Sequence, residues 1–154
     1  MKNALVLSLC LICSVAAWSQ SASEKNGVKF VEQPLEALVS ANNNDTRPIM
    51  VWIWSGYCGA CKRMQREVWN NPSTAAFFNR YFVNVSINID NEESVMQNEK
   101  LLSYIEPMIL PRIVFYNPNG RYIESMVGCK NEEEMRQLAK MIIEDNNFYF
   151  KKIK

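Results

Sequence analysis

The stretch that decides the fold is IMVWIWSGYCGACKRMQREVW, residues 49–69. Its first part, Ile49 to Trp54, is a continuous apolar run of strand length, which is typical of a β-strand buried on both faces. From Cys61 to Trp69 the apolar residues fall four apart with charges on the other faces, which predicts a helix. Cys58 and Cys61 therefore lie where a buried strand passes into a helix.

The Cys58-Gly59-Ala60-Cys61 motif lies at the predicted start of a helix, a position that favours reactive thiols. A thiol in the first turn of a helix meets free backbone N–H groups and the positive end of the helix dipole, and both stabilise the thiolate. Cysteine pKa values of about 7 or lower occur in such motifs. The spacing also lets the second sulfur reach the first, so that one thiolate attacks a disulfide and the other resolves the mixed species.

Two other roles for the motif are half of a zinc site and a purely structural disulfide. Zinc usually takes four Cys or His ligands. The chain has no histidine, and Cys10 and Cys13 belong to an N-terminal segment that we expect to be removed, which leaves only Cys129 beyond the motif. We therefore expect no metal site. A structural disulfide would close only a very small loop, and it stays open as an alternative.

Composition excludes several classes of function. The chain has 154 residues, 48% hydrophobic and 21% charged, which suits one globular domain with its own core. Its formal net charge of +1 gives no indication of a nucleic-acid partner. The absence of histidine excludes a Ser-His-Asp triad and a Cys-His pair. What remains is cysteine chemistry, for which we expect no cofactor.

The N-terminus has the composition of a secretory signal peptide. A basic start precedes the uncharged apolar run Ala4 to Ala17, and Ala17-Trp18-Ser19 offers the small residues that a signal peptidase reads. A membrane-spanning helix needs about 20 apolar residues, so a retained anchor is the weaker alternative. We expect cleavage after Ser19, no membrane anchor after cleavage, and a periplasmic or secreted protein whose thiols meet an oxidising compartment.

The rest of the chain predicts the element order α, β, α, β, α, β, β, α. Helices are expected over 34–41, 61–69 with a second piece over 74–80, 92–104 and 131–144, and strands over 49–54, 81–89, 112–116 and 121–127. This order predicts an α/β domain with a central mixed sheet and helices on both faces. We expect a flexible lead-in over 20–31, one domain over 32–145 and a C-terminal tail over 146–154.

Several segments carry a resemblance to the thioredoxin superfamily. They are Trp54–Lys62, Ile87–Asp90, Leu110–Phe115, Asn119-Gly120 and Val127-Gly128. A CxxC after a buried strand, followed about 50 residues later by a proline that opens a strand, is far more specific than CxxC alone. Within the superfamily the stretch 61–90 is similar to exported thioredoxin-like proteins, including the C-terminal domain of DsbD-type thiol-disulfide interchange proteins.

The resemblance implies a thioredoxin-like fold and thiol-disulfide exchange with exported proteins. It makes Cys58 the nucleophile and Cys61 the resolving thiol. It also makes Pro111 the family's cis-proline, although by itself the residue suits an ordinary trans proline at a strand start. The expected substrate groove consists of Tyr57, Gly59, Ala60, Leu110, Pro111 and Gly128.

The chain lacks the polar residues that, in the family, help to deprotonate the second cysteine of the motif. The family's buried carboxylate, six residues before the first cysteine, falls on Trp52, and the basic residue near it falls on Ser86. Glu67 would substitute only by pointing inward, and we expect it on the exposed helix face. Ala60 stands where oxidising or isomerising members have histidine, so we expect a reduction potential of about −200 to −270 mV.

Cys129 follows Gly128 on the loop that, by the resemblance, rims the groove. One interpretation is a small buried hydrophobic residue, and the other is a third thiol beside the active site that traps or regulates.

The function we expect is that of a monomeric, exported thiol-disulfide oxidoreductase whose electrons come from an unidentified redox partner. The alternative is a non-enzymatic thioredoxin-fold binding or chaperone module with an incidental CxxC.

Overall fold

The computed structural model describes residues 27–41, 45–105 and 108–153. The expected signal peptide over 1–19 and residues 20–26 of the expected lead-in lie outside this part of the chain. No helix in the described part combines the length and the apolar character that crossing a membrane requires.

Six helices and four strands form in the described residues. They are α1 (Leu35–Ala41), β1 (Ile49–Trp54), α2 (Gly59–Met64), which a π-helical segment (Gln65–Trp69) continues, α3 (Pro72–Tyr81), β2 (Val83–Asn88), α4 (Glu92–Gln97), α5 (Glu99–Ser103), β3 (Arg112–Tyr116), β4 (Tyr122–Val127) and α6 (Glu132–Ile153). The predicted order of helices and strands is confirmed. The one helix expected over 92–104 is instead two, divided at the buried Asn98, whose side-chain oxygen accepts the N–H of Leu35.

The four strands form one sheet in the order β2-β1-β3-β4. β1 runs parallel to β2 and antiparallel to β3, and β3 runs antiparallel to β4. Val51 at the middle of β1 stands opposite Val85 of β2 and Val114 of β3. The central mixed sheet of the predicted α/β fold is thus confirmed.

Each face of the sheet has its own hydrophobic core. Met50 and Trp52 of β1 point to the face covered by α2, α3 and α6, and alternate residues such as Val51 point to the face covered by α1 and α5. Because helices cover both faces, β1 is buried along its length up to Ile53, which explains its continuous apolar sequence. Its C-terminal end delivers the chain to the start of α2.

Part of the expected flexible lead-in belongs to the fold. Val31 pairs with Val85 at the outer edge of β2, and the N–H of Val28 donates to the carbonyl of Trp69 at 2.7 Å. Phe30 packs against the rings of Trp52 and Trp69. The domain therefore begins by residue 27 and not at 32, because alternate apolar residues of the lead-in have a core to join.

The expected domain end at 145 falls inside a helix. α6 runs from Glu132 through Ile153, whereas a helix over 131–144 and a separate tail were expected. Neither glycine nor proline occurs after residue 131, so nothing in the local sequence stops the helix.

Candidate active site

Cys58 is the N-cap residue of α2. Its backbone is extended, and its Sγ accepts the backbone N–H of Cys61 at 3.1 Å. The two cysteines form a disulfide, with their Cα atoms 5.2 Å apart. Cys58 is half-buried, whereas only 1% of Cys61 is exposed. Cys58 is thus the more accessible of the two cysteines, and a helix N–H is in place to stabilise negative charge on its sulfur.

A carboxylate after β2 holds the loop that leads to Cys58. Asp90 Oδ1 accepts the hydroxyl of Ser55 at 2.8 Å, and Asp90 Oδ2 accepts the N–H of Gly56 at 2.6 Å. The Ser55 hydroxyl oxygen in turn accepts the N–H of Tyr57 at 3.0 Å. These links reach each of the three residues before Cys58.

Sequence reasoning gave Asp90 no role. It appeared only as the last residue of a segment that resembles the family. The usable signal was its place directly after a strand that pairs in parallel with β1, because the C-terminal ends of parallel neighbours meet at the same edge of a sheet. That signal depends on knowing that β1 and β2 are neighbours.

Pro111 and Gly128 join the start of β3 to the end of β4. The Leu110–Pro111 peptide bond is cis, and Pro111 is buried. Its carbonyl accepts the N–H of Gly128 at 2.9 Å, and Gly128 has a left-handed φ of 81°. Leu110 is half-buried and packs, as Cys58 does, against the core cluster that contains Cys61.

The other expected groove residues lie at the start of α2. Tyr57 is 91% exposed, so its ring projects into solvent directly before the disulfide. Gly59 is exposed and Ala60 is half-buried in the first turn of the helix. Apart from the adjoining residues and the backbone of α2, no atom lies within 4 Å of the position where a Cβ on Gly59 would stand, so the space beside Gly59 is open.

Aromatic side chains fill the place of the family's proton relay. Trp52 is 2% exposed and stacks on Trp54 with ring centroids 5.2 Å apart. The indole N–H of Trp54 donates to the Ser86 hydroxyl at 2.8 Å. Glu67 lies on the exposed face and pairs with Arg66 at 3.0 Å, as expected. Within the described residues no Asp or Glu is buried, so no carboxylate stands beside Cys61 in the core.

Cys129 lies beside α2. It is half-buried and carries a free thiol, and the Nε–H of Arg63 donates to its Sγ at 3.4 Å. That hydrogen bond raises the pKa of the Arg63 guanidinium. Cys129 is therefore neither a fully buried hydrophobic residue nor a fully exposed thiol. Elsewhere in the described part of the chain, no group of three or more Cys, Asp or Glu side chains has an arrangement that suits a metal ion.

Residues 35–143 match the model of a family described as the thioredoxin-like domain. The chain belongs to this family. The match spans the sheet and the helices on both of its faces, so the thioredoxin-like domain includes the disulfide, the Asp90 loop and Pro111. A search of curated protein sequences found no match.

Three solved structures share the architecture of this thioredoxin-like domain. The DsbH oxidoreductase has a TM-score of 0.61 at 16% identity, covering 82% of this chain and 92% of its own. A thioredoxin from Thermus thermophilus has a TM-score of 0.60 at 18% identity, and the match covers 75% of this chain and 87% of the thioredoxin. A putative disulphide-isomerase from Bacteroides thetaiotaomicron has a TM-score of 0.61 at 24% identity, and the match covers 77% of this chain and 94% of the other. At these identities the similarity shows the fold alone.

Proposed function

We propose that this protein is a thiol-disulfide oxidoreductase that reduces disulfides of exported proteins. One observation carries the proposal. The Cys58–Cys61 disulfide caps α2, with Cys58 accessible and Cys61 buried behind it. An accessible sulfur that receives a helix N–H, backed by a shielded partner sulfur, is the arrangement that dithiol exchange requires.

The reaction has two steps. In the reduced protein the Cys58 thiolate attacks a substrate disulfide, which forms a mixed disulfide and releases the first substrate sulfur as a thiol. The Cys61 sulfur then attacks Cys58 Sγ, which forms the protein disulfide and releases the second substrate thiol. The protein loses two electrons and two protons and the substrate gains them. A dithiol reductant, the unidentified redox partner, returns the protein to the dithiol form.

The reducing direction rests on the residues between the two cysteines. Gly59 and Ala60 offer no charged or imidazole group that would stabilise the reduced form and make the protein a strong oxidant. We expect a potential near or below about −200 mV, within the range of thioredoxins and glutaredoxins. Equilibration with glutathione buffers measures it. A value above about −150 mV would overturn the reducing assignment.

Export rests on the N-terminal sequence. The basic start, the apolar run and the small residues before Gln20 support cleavage after Ser19 and export to the periplasm or beyond the cell. We propose that the mature protein acts there as a monomer. Mass spectrometry of the protein from its native compartment tests this. We expect a mature N-terminus at Gln20. A retained Met1 would contradict export by this route.

Reduction of insulin by dithiothreitol tests the activity. We expect the wild-type protein to shorten the lag before insulin precipitates. Cys58→Ser should abolish the effect, and the matched control Cys129→Ser should retain it, because Cys129 lies outside the disulfide. If the wild-type protein precipitates insulin no faster than dithiothreitol alone, the enzymatic proposal fails.

The second candidate is a binding or chaperone module of the same fold. The core favours it at one point, because buried Trp52 occupies the place where the family has a carboxylate that assists the second cysteine. A protein that suppresses aggregation of an unfolded client equally well with Cys58→Ser, and that does not reduce insulin, would support this candidate.

A further inference from the structure

The surface around Cys58 combines exposed apolar side chains with cations. The apolar residues are Tyr57, which directly precedes Cys58 and is 91% exposed, and Ile109, which directly precedes Leu110 and is 48% exposed. We name the cations Lys62, Arg63 and Lys130 the basic rim. We propose that this surface selects substrate segments in which aspartate or glutamate lies within a few residues of the reactive cysteine. This inference rests on the proposed function and specifies its substrate class.

Backbone geometry places the basic rim next to the reactive sulfur. The N–H of Lys62 donates to the carbonyl of Cys58 at 3.1 Å, so Lys62 lies one helical turn beyond Cys58 on the same face of α2. Arg63 reaches the other side of the site through its contact with Cys129 Sγ. Lys130 follows Cys129 directly, where the chain leaves β4. The rim thus extends from α2 to the loop after Gly128.

The carboxylates near the site form no direct ion pair with this rim. Within the described residues, no carboxylate forms an ion pair with Lys62, Arg63 or Lys130. Of the acidic side chains nearby, Glu132 pairs with Arg136, and Asp90 and Glu134 accept hydrogen bonds from neutral groups. Glu67 pairs with Arg66, and its charge also contributes to the raised pKa of Arg63. The positive charge of the rim is therefore available to a ligand.

The chemistry of the occupant follows from both parts of the surface. The apolar side chains favour a segment with apolar residues beside its cysteine, because their contact removes exposed hydrophobic area from water. The unpaired cations favour carboxylates and disfavour further cations. Lys62 and Arg63 are exposed and Lys130 is half-buried, so these charges act largely through solvent. The Debye length is about 8 Å at physiological ionic strength. The selection must therefore weaken as salt is added.

Two synthetic peptide disulfides test the inference. They share one sequence except that the residues flanking the cysteine are glutamate in one and glutamine in the other. For the wild-type protein we expect kcat/KM for the glutamate peptide to be about tenfold higher at low salt, and within about twofold at about 0.5 M salt. An effect of the rim on the reactivity of Cys58 itself would change kcat/KM for both peptides equally, so it would leave their ratio unchanged.

Charge-matched variants show which cations act. The variant Lys62→Gln/Arg63→Gln/Lys130→Gln should bring the ratio close to one at low salt. The control Arg80→Gln/Lys100→Gln/Lys140→Gln removes the same charge from α3, α5 and α6 and should keep the wild-type ratio. If both variants lower the ratio equally, net charge and not the rim accounts for the preference, and the inference is wrong.

The outcomes separate the two proposals. Equal reduction of both peptides by the wild-type protein at low salt overturns the acidic preference and leaves the oxidoreductase standing. Reduction of neither peptide overturns the proposed function and the preference with it.

Discussion

Asp90 Oδ2 accepts the backbone N–H of Gly56 at 2.6 Å, across 34 residues of sequence. A Cβ at position 56 would lie 3.3 Å from the same oxygen, so glycine allows this close approach. The contact joins the loop after β2 to the loop after β1, two residues before Cys58. The position of the outer sulfur is thereby tied to the pairing of two strands.

Asp90→Ala should impair both stability and exchange. It removes the acceptor for the Gly56 N–H and the Ser55 hydroxyl, so we expect a loss of about 1–3 kcal/mol in the free energy of unfolding. We also expect a severalfold lower kcat/KM for disulfide reduction, because the loop before Cys58 is no longer held. Glu92→Ala is the matched control, since it removes an exposed carboxylate two residues further on. Equal behaviour of the two variants in urea unfolding and peptide reduction would show that Asp90 does not position the loop.

The two cysteines should differ in trapping partners. Cys61 is buried and Cys58 is more accessible, so we expect Cys58 to make the intermolecular bond and Cys61 to resolve it. In a Cys129→Ala background, Cys61→Ser should accumulate mixed disulfides with exported proteins, visible on non-reducing gels, and Cys58→Ser should trap far fewer. Equal trapping by both variants, or trapping only by Cys58→Ser, would reverse the assignment. Trapping by neither would favour the binding module.

Tyr116 should make the protein sensitive to alkali. Burial raises the pKa of Tyr116 to about 12, against about 10 in an unfolded chain. The fold disfavours the phenolate, so this stabilisation is complete below about pH 10 and is lost as the pH rises to about 12. Over that interval the wild-type protein should lose about 2 kcal/mol more unfolding free energy than Tyr116→Phe. Urea unfolding at each pH measures this, and Tyr57→Phe, at a 91% exposed ring, should follow the wild type.

Alanine substitutions at Gly120 and Gly128 distinguish the stability cost of a left-handed backbone from the cost of a steric clash. Gly120 and Gly128 have φ values of 77° and 81°. A Cβ on Gly120 would lie 2.9 Å from Val39 Cγ2, whereas a Cβ on Gly128 would meet nothing within 4 Å. Gly128→Ala should cost about 1 kcal/mol from the left-handed backbone, and Gly120→Ala at least about 1 kcal/mol more.

The Val39→Ala background provides the check on this comparison. There Gly120→Ala should cost no more than Gly128→Ala in thermal unfolding. An unchanged difference between the two glycines would mean that Val39 is not the cause.

Much of the fold was predictable because its signals are local. The apolar run of β1 and the helical spacing after Cys61 predicted the strand and the helix on which the disulfide lies. Neighbouring residues alone set such periodicity, because a buried strand and a half-buried helix each repeat on their own period. The same argument failed at 92–104, where Asn98 divides two helices and binds the N–H of Leu35, a contact from a distant part of the chain.

The sequence by itself determined the cysteine pair at a strand-to-helix junction, the exclusion of histidine chemistry and the order of the elements. Only the tertiary structure decided that Asp90 holds Gly56, that Arg63 contacts Cys129 and that Val31 pairs with Val85 of β2. Each of these contacts joins residues far apart in the chain. They depend on which strands are neighbours and in which register, and that is decided by how the two cores pack around the sheet and not by any local pattern.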